Sequence, residues 1–203
     1  TRGLTAWMLI RRIHPVKAGE TVLLHAAAGG VGLVTLGWLK KLGATVIGTV
    51  GSDEKAKIAR AHGCDHVIVY SREPIASRVR EITNGEGVPV VYDGVGKATF
   101  DASLDSLRPR GLMVSFGNAS GAPPPLDVLS LSRKGSLFLT RPTVFHYVST
   151  RTELEEGAKE LFDVVASGAV RVDVSHTWPL EEAAMAHRAL ESRATTGSVV
   201  LLP

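Results

Sequence analysis

Residues 25–32, HAAAGGVG, limit what this chain can fold into more than any other stretch. They stand between an apolar run, TVLL, and a second one, LVTLGWLKKLG. Alanines and glycines packed together in such a place imply that the backbone must come close to something. The spacing Ala27-x-Gly29-x-x-Gly32 matches the dinucleotide fingerprint, with alanine in place of the first glycine. Each small residue has a physical reason: the first makes the tight strand-to-helix turn, Gly29 lets the backbone approach a pyrophosphate, and Gly32 lets the helix pack close to the strand. The N–H groups at the start of that helix, with the positive end of its dipole, then face an anion. Ala28, Gly29, Gly30 and Val31 are therefore expected to line a pyrophosphate. A bare tight turn would also give such a stretch, so the surrounding elements must decide.

Those elements alternate. TVLLHAA, TVIGTV, HVIVY, VPVVYDGV, LMVSFG and GSLFLTR read as six strands, each a near-continuous apolar run of the kind found in a parallel sheet covered on both faces. Helical segments separate them: GLVTLGWLKKLG stopped by Gly43, DEKAKIARAHG stopped by Gly63, IASRVREITNG, ATFDASLDSLRPRG closed by Pro109 and Gly111, and a short LDVLSLSRK. Alternation at this spacing implies right-handed βαβ units, hence an α/β, doubly wound, six-stranded parallel sheet of Rossmann type. A leading helix, LTAWMLIRRI, precedes it within residues 1–16. TRTELEEGAKELFDVVASG reads as a long helix with a capping box of Thr152 and Glu155. Residues 1–168 are taken as the dinucleotide-binding domain. Residues 169–203 are taken as a strand–helix–strand tail: VRVDV, PLEEAAMAHRALESR and GSVVLLP.

The 203 residues are 44% hydrophobic and 21% charged, ordinary for a globular protein, and no apolar run approaches the length that crosses a bilayer. The net charge of +3 is spread along the chain, which argues against a nucleic-acid role. Cys64 is the sole cysteine, which excludes a disulfide framework or a cysteine zinc site and fits a reducing, cytoplasmic setting. The histidines, among them His25, His62, His66, His146, His176 and His187, fall in unrelated segments and read as surface or packing residues. No nucleophile–base set or carboxylate pair stands out, so no catalytic residue is assigned and no metal is expected. The chain begins at Thr1 and runs straight into a helix, as a piece of a longer polypeptide would.

The second strand bears on which dinucleotide fits. NAD sites usually carry Asp or Glu about 20 residues beyond the glycines, to bind the ribose 2′-OH. Here the strand ends TVGSDEK, and the position falls on Gly51, with Ser52 next and Lys55 in reach. Loss of the acid and gain of a cation favour a 2′-phosphate, hence NADPH. Asp53 is the counter-indication unless it serves as a helix N-cap.

HAAAGGVG, GTVGSDEKA, VYDGVG, RPRGLMVSFGNASG, GSLFLTRPT and ESRATTGSVVLLP together resemble the NADPH:quinone oxidoreductases, the zeta-crystallin-like, zinc-free branch of the medium-chain dehydrogenases/reductases. The likeness runs from Leu4 to Pro203. It implies an N-terminal GroES-like catalytic domain, absent from this sequence, to which the tail would return. It implies hydride delivery from NADPH to a quinone or another small electrophilic acceptor. It also implies that Lys55 and Tyr70 hold the 2′-phosphate, that Arg193 contacts the cofactor phosphates, and that Val95, Phe116, Gly117 and Asn118 line the ribose and nicotinamide. Relatives usually have Ser or Cys where this chain has Gly94. An enoyl or alkenal reductase would share these features, and a non-catalytic, crystallin-like or RNA-binding protein is the alternative outside catalysis. A homodimer is expected through the sixth strand, whose apolar Leu137–Leu139 stretch carries no proline or inward charge. The tail strands, lacking their usual neighbour, are expected to be poorly ordered or borrowed into another sheet.

Overall fold

A computed structural model describes residues 1–172, 174–192, 194–196 and 198–203. Six strands form one parallel sheet: β1 (Thr21–Leu24), β2 (Thr45–Val50), β3 (His66–Val69), β4 (Val88–Asp93), β5 (Leu107–Ser115) and β6 (Phe138–Thr140). Their order is β3-β2-β1-β4-β5-β6, so the chain starts in the middle, winds one way, then returns and winds the other. The order reverses between β1 and β4, where Leu24 pairs with Gly48 on one side and Tyr92 on the other. This is the doubly wound sheet that the alternating pattern predicts, with a ligand crevice expected at the carboxyl ends of the strands beside that reversal.

Both faces are covered. On one face α1 (Arg2–Trp7), α2 (Gly30–Lys41), α3 (Asp53–Ala61) and α7 (Arg151–Ala166) pack over a core that includes Trp7, Leu24, Leu36, Leu39, Val46 and Val164. On the other, α4 (Ile75–Ile82) and α5 (Phe100–Ser106) close over Leu23, Ile47, Ile68, Val91 and Met113, and the short α6 (Val128–Arg133) leads into β6. Successive residues of β1 thus serve opposite cores, as a strand buried on both sides must. The leading helix widens into a π-helix over Met8–Ile13, and Ala6, Trp7, Met8, Leu9 and Ile10 are all buried. Arg11 and Arg12 then reach Glu160 and Glu156 of α7.

The structure departs from the sequence reading in four places. The segment around Pro109 and Gly111 does not close a helix. α5 ends at Ser106, and β5 begins at the next residue with an irregularity: Val88 pairs with Leu107, but Val90 pairs with Leu112. A proline and a glycine in a strand mark such a bulge. The first tail strand is β7 (Val174–Pro179), later than VRVDV. It pairs in parallel with β8 (Ser198–Leu202) in a separate two-stranded sheet, so the tail strands partner each other. The helix between them is α8 (Ala183–Glu191). Finally, α7 starts two residues early. Its N-cap is Thr150, whose hydroxyl accepts from Glu153 N–H while Glu153 receives the Thr150 N–H. The TRTE sequence offers two threonines in the same frame, and helix geometry selects the first. Thr150→Ala should therefore cost about 1 kcal/mol, lowering Tm by about 2–4 °C, whereas Thr152→Ala should leave Tm unchanged. Thermal unfolding followed by circular dichroism distinguishes the two.

Candidate cofactor-binding site

The glycine turn leaves β1 held on both sides: His25 N–H donates to Tyr92 O and Ala27 N–H to Thr49 O. The residue that makes the turn is Ala26, not Ala27. Ala26 has φ 51°, a left-handed conformation, and its carbonyl accepts from Gly29 N–H at 2.8 Å. Ala27 is fully buried beneath it. Gly29 is the N-cap of α2 and supplies no side-chain cap, so the first-turn N–H groups are directed out of the helix end. A Cβ on Gly32 would stand 2.3 Å from Ala26 O and 2.8 Å from Ala27 O, so any side chain there would lift α2 off the strand. A Cβ on Gly30 would meet the Arg2 guanidinium at 2.7 Å. Arg2 thus brings a cation to the start of α2. Sequence reasoning missed it because the two lie 28 positions apart in the chain.

At the ends of β2 and β3 the structure gathers Gly51, Ser52, Lys55 and Tyr70. Ser52 is the N-cap of α3, its hydroxyl accepting from Lys55 N–H. Asp53 is the first residue of that helix rather than its cap. Its carboxylate takes two hydrogen bonds from Arg72, at 3.0 and 2.5 Å. Hydrogen bonds from its own backbone N–H and from Ser52 hold Glu54 below the usual carboxylate range. Tyr70 follows β3, and its hydroxyl lies 2.6 Å from where a Cβ on Gly51 would stand. A side chain at position 51 would therefore have to displace the Tyr70 ring, which is 40% exposed. Tyr70 also lines a cleft of 360 Å³ with Pro74, Ile75, Val95, Ala98 and Thr99.

The loops after β4 and β5 are joined to each other. Ser120 N–H donates to Val95 O at 2.8 Å, and Lys97 N–H to Gly121 O at 3.1 Å. The Phe116 ring lies against Gly94, where a Cβ would come within 2.8 Å of it. The ring occupies the space a Ser or Cys side chain would need, which accounts for the glycine. Gly117 approaches Gly94 so closely that a Cβ would be 2.4 Å from its carbonyl. Asn118 lines a second cavity of 270 Å³ with Phe100, Ser115, Leu139 and Arg141. Arg141 donates to the carbonyls of Ser115 and Gly117 and fixes this turn. Arg193 lies outside the described residues.

Beneath these loops is a buried polar set that the sequence reading did not assemble. Asp93, the last residue of β4, accepts from the N–H groups of Val95 and Gly96 and from the hydroxyls of Thr99 and Ser103. Ser103 also meets His25 Nε2 at 3.0 Å, and His25 Nδ1 meets Thr49 Oγ1 at 2.8 Å. The signal was a polar residue at the end of each apolar strand: Thr49, His25, Asp93. Burial pushes the His25 imidazole below its ordinary value, although the Asp93 carboxylate pulls the other way. Cys64 is buried and its thiol is pushed up to about 12 by desolvation. Among the described residues no group of three His, Cys, Asp or Glu side chains could hold a metal ion, and no helix is long and apolar enough to cross a membrane.

A strand–turn–helix shaped for a pyrophosphate, set at the reversal of a doubly wound sheet, defines a dinucleotide-binding domain. Residues 30–167 match the family described as zinc-binding dehydrogenase, and the chain belongs to it. A 2-haloacrylate reductase from Burkholderia sp. is 52% identical over 203 residues, covering all of this chain and 61% of that protein. A quinone oxidoreductase from Pseudomonas aeruginosa is 51% identical, covering all of this chain and 62% of that protein. The crystal structure of Escherichia coli quinone oxidoreductase complexed with NADPH superimposes with a TM-score of 0.97 at 50% identity, covering 100% of this chain and 63% of that one. The chain thus spans about three fifths of the length of these relatives. Despite the family's description, the described residues do not fit a zinc ion.

A neutral, buried His25 has a pH consequence. Its folded pKa lies below the unfolded value of about 6.5, so the unfolded chain binds the extra proton. The stability this confers is complete above about pH 6.5 and is lost as pH falls towards the folded pKa. Urea unfolding between pH 7.5 and 5 should show stability declining with acid. His25→Gln should lose part of that slope, and an unchanged slope would show that His25 does not titrate on unfolding.

Proposed function

We propose that this chain binds NADPH along the carboxyl ends of its strands and forms the cofactor-holding part of a quinone oxidoreductase. The observation that carries this is the end of β2: the residue at position 51 is a glycine with the Tyr70 hydroxyl packed against it, and Asp53 is committed to Arg72. Ser52, Lys55 and Tyr70, gathered at the ends of β2 and β3, are assigned to the ribose 2′-phosphate. Identity near 50% to quinone oxidoreductases, and the fold shared with one crystallised with NADPH, support the reading. In this arrangement Ala28, Gly29, Gly30 and Val31 hold the pyrophosphate through the α2 N-terminus. The apolar cleft between Tyr70 and Val95 receives the adenine, and Val95, Phe116, Gly117 and Asn118 border the nicotinamide side. Arg193 is assigned to the cofactor phosphates. NADPH supplies the hydride, and the protein supplies position and electrostatics. The acceptor is a quinone. A haloacrylate-type activated alkene is the second reading, favoured by 52% identity to a 2-haloacrylate reductase. Substrate contacts come chiefly from a catalytic domain outside these 203 residues, to which residues 169–203 return. Residues 1–168 are the cofactor domain. The setting is cytoplasmic.

Calorimetry on this chain should show tighter binding of NADPH than of NADH. Lys55→Ala should weaken NADPH by about 1.5–3 kcal/mol and leave NADH nearly unchanged. Equal losses for both would contradict the 2′-phosphate assignment.

Dimerisation belongs to the same reading. β6 pairs with β5 on one side and forms the edge of the sheet. Leu137 is 6% exposed and belongs to the core, with Leu139 packed partly against it, while Phe138 is 60% exposed. The edge residue is therefore Phe138, and Leu137 is unsuitable as a probe because its change would disturb the core. We propose a two-fold dimer through β6. Light scattering should report a dimer for the wild type and a monomer for Phe138→Lys; a monomeric wild type would refute the arrangement.

A further inference from the structure

The buried set beneath the crevice is wired in one direction. Asp93 Oδ1 takes the Val95 and Gly96 N–H groups at 2.8 and 3.0 Å, and Thr99 Oγ1 bridges both carboxylate oxygens at 2.9 and 2.8 Å. Ser103 has a single hydroxyl proton and gives it to Asp93 Oδ2 at 2.7 Å. Ser103 Oγ can then only accept from His25, so the proton of the imidazole sits on Nε2. Nδ1 is left as an acceptor for the Thr49 hydroxyl. All of these side chains are buried, with His25 at 1% exposure and Thr49, Asp93 and Ser103 at 0%.

The chain Thr49–His25–Ser103–Asp93 crosses three neighbouring strand ends. Thr49 lies two residues before Gly51, His25 immediately before the glycine turn, and Asp93 immediately before the loop 94–96. That loop is in turn fastened to residues 118–121. A hydrophobic core has no need of such a set, and each member would be costly if its partner were lost.

We propose that His25, Ser103, Asp93 and Thr99 are positioning residues, which hold the three cofactor-facing loops in one fixed relation. The proposal rests on the NADPH reading. The carboxylate is its anchor: it is the group that orders the loop 94–96 directly and, through Ser103, ties it to the turn at Ala26.

A nearby residue supplies the control. Ser106 lies on the same helix, is equally buried, and gives its hydroxyl to Ala102 O at 2.7 Å without touching the set. Ser103→Ala and Ser106→Ala each remove one buried hydroxyl. NADPH binding by calorimetry should weaken about tenfold in Ser103→Ala and stay within about twofold in Ser106→Ala. Thr99→Val should likewise weaken binding, and Thr99→Ser, which keeps the donor, should restore it. Nitrogen-15 NMR of the wild type should show His25 as the Nε2–H tautomer. Equal effects of Ser103→Ala and Ser106→Ala, no loss in Thr99→Val, or an Nδ1–H tautomer would overturn the proposal. A wild type that binds no NADPH overturns the cofactor reading and the positioning role with it. Unchanged affinity in every variant overturns the positioning role alone.

Discussion

The approach of α2 to β1 is the constraint on which the rest of the site depends. A carbonyl oxygen lies 2.3 Å from where a Gly32 Cβ would be, so strand and helix meet with nothing between them. That contact sets the height of the helix above the sheet and aims its N-terminus across the crevice. The turn that permits it places Ala26 in a left-handed conformation, which costs an alanine about 1–2 kcal/mol. Such strain persists where the surroundings over-determine the backbone. Here the surroundings are the hydrogen bonds from His25 N–H to Tyr92 O and from Ala27 N–H to Thr49 O, which clamp the turn between β4 and β2.

The same strand ends carry three buried polar side chains, Thr49, His25 and Asp93. The sheet is assembled from Val, Ile and Leu, and its faces need no polar contact to be stable. Thr49, His25 and Asp93 appear where apolar burial gives way to ligand-facing loops. Backbone N–H groups in those loops cannot join a ladder, because the strands have ended, and Asp93 satisfies two of them. The buried carboxylate is tolerable because it accepts from backbone and hydroxyl donors on both oxygens.

How much of this was legible in the sequence depended on range. The strands and most helices follow from apolar runs and glycine stops, and the fingerprint marked the tight strand-to-helix turn, although it placed the turning residue one position late. α7 was found, but its cap was assigned to Thr152 because TRTE carries two capping candidates. The helix drawn through RPRG failed because proline and glycine also mark a bulge, and only pairing with β4 separates the two meanings. Arg2 beside Gly30, Arg141 on the β5 turn and Ser103 beside His25 were not legible at all. Each joins residues 24 to 78 positions apart, through a sheet order that periodicity does not encode. Gly94, a departure from relatives on paper, is explained by a contact with Phe116, 22 positions away.

Charge is distributed along the crevice in a way that suits an extended anion. Arg2 stands at the start of α2 and Lys55 in the first turn of α3, positions where a helix dipole disfavours a cation. Asp53 and Glu54 share that turn of α3, yet Asp53 is drawn aside by Arg72 and Glu54 is held by Ser52 and its own backbone. Deeper in, the charge pattern changes. His25 is held neutral by burial, and the Cys64 thiol, bonded to the carbonyls of Val46 and His66, is pushed up far beyond neutrality. Beneath the crevice burial thus disfavours charge on His25 and Cys64, while Asp93 accepts hydrogen bonds from the loop that borders it.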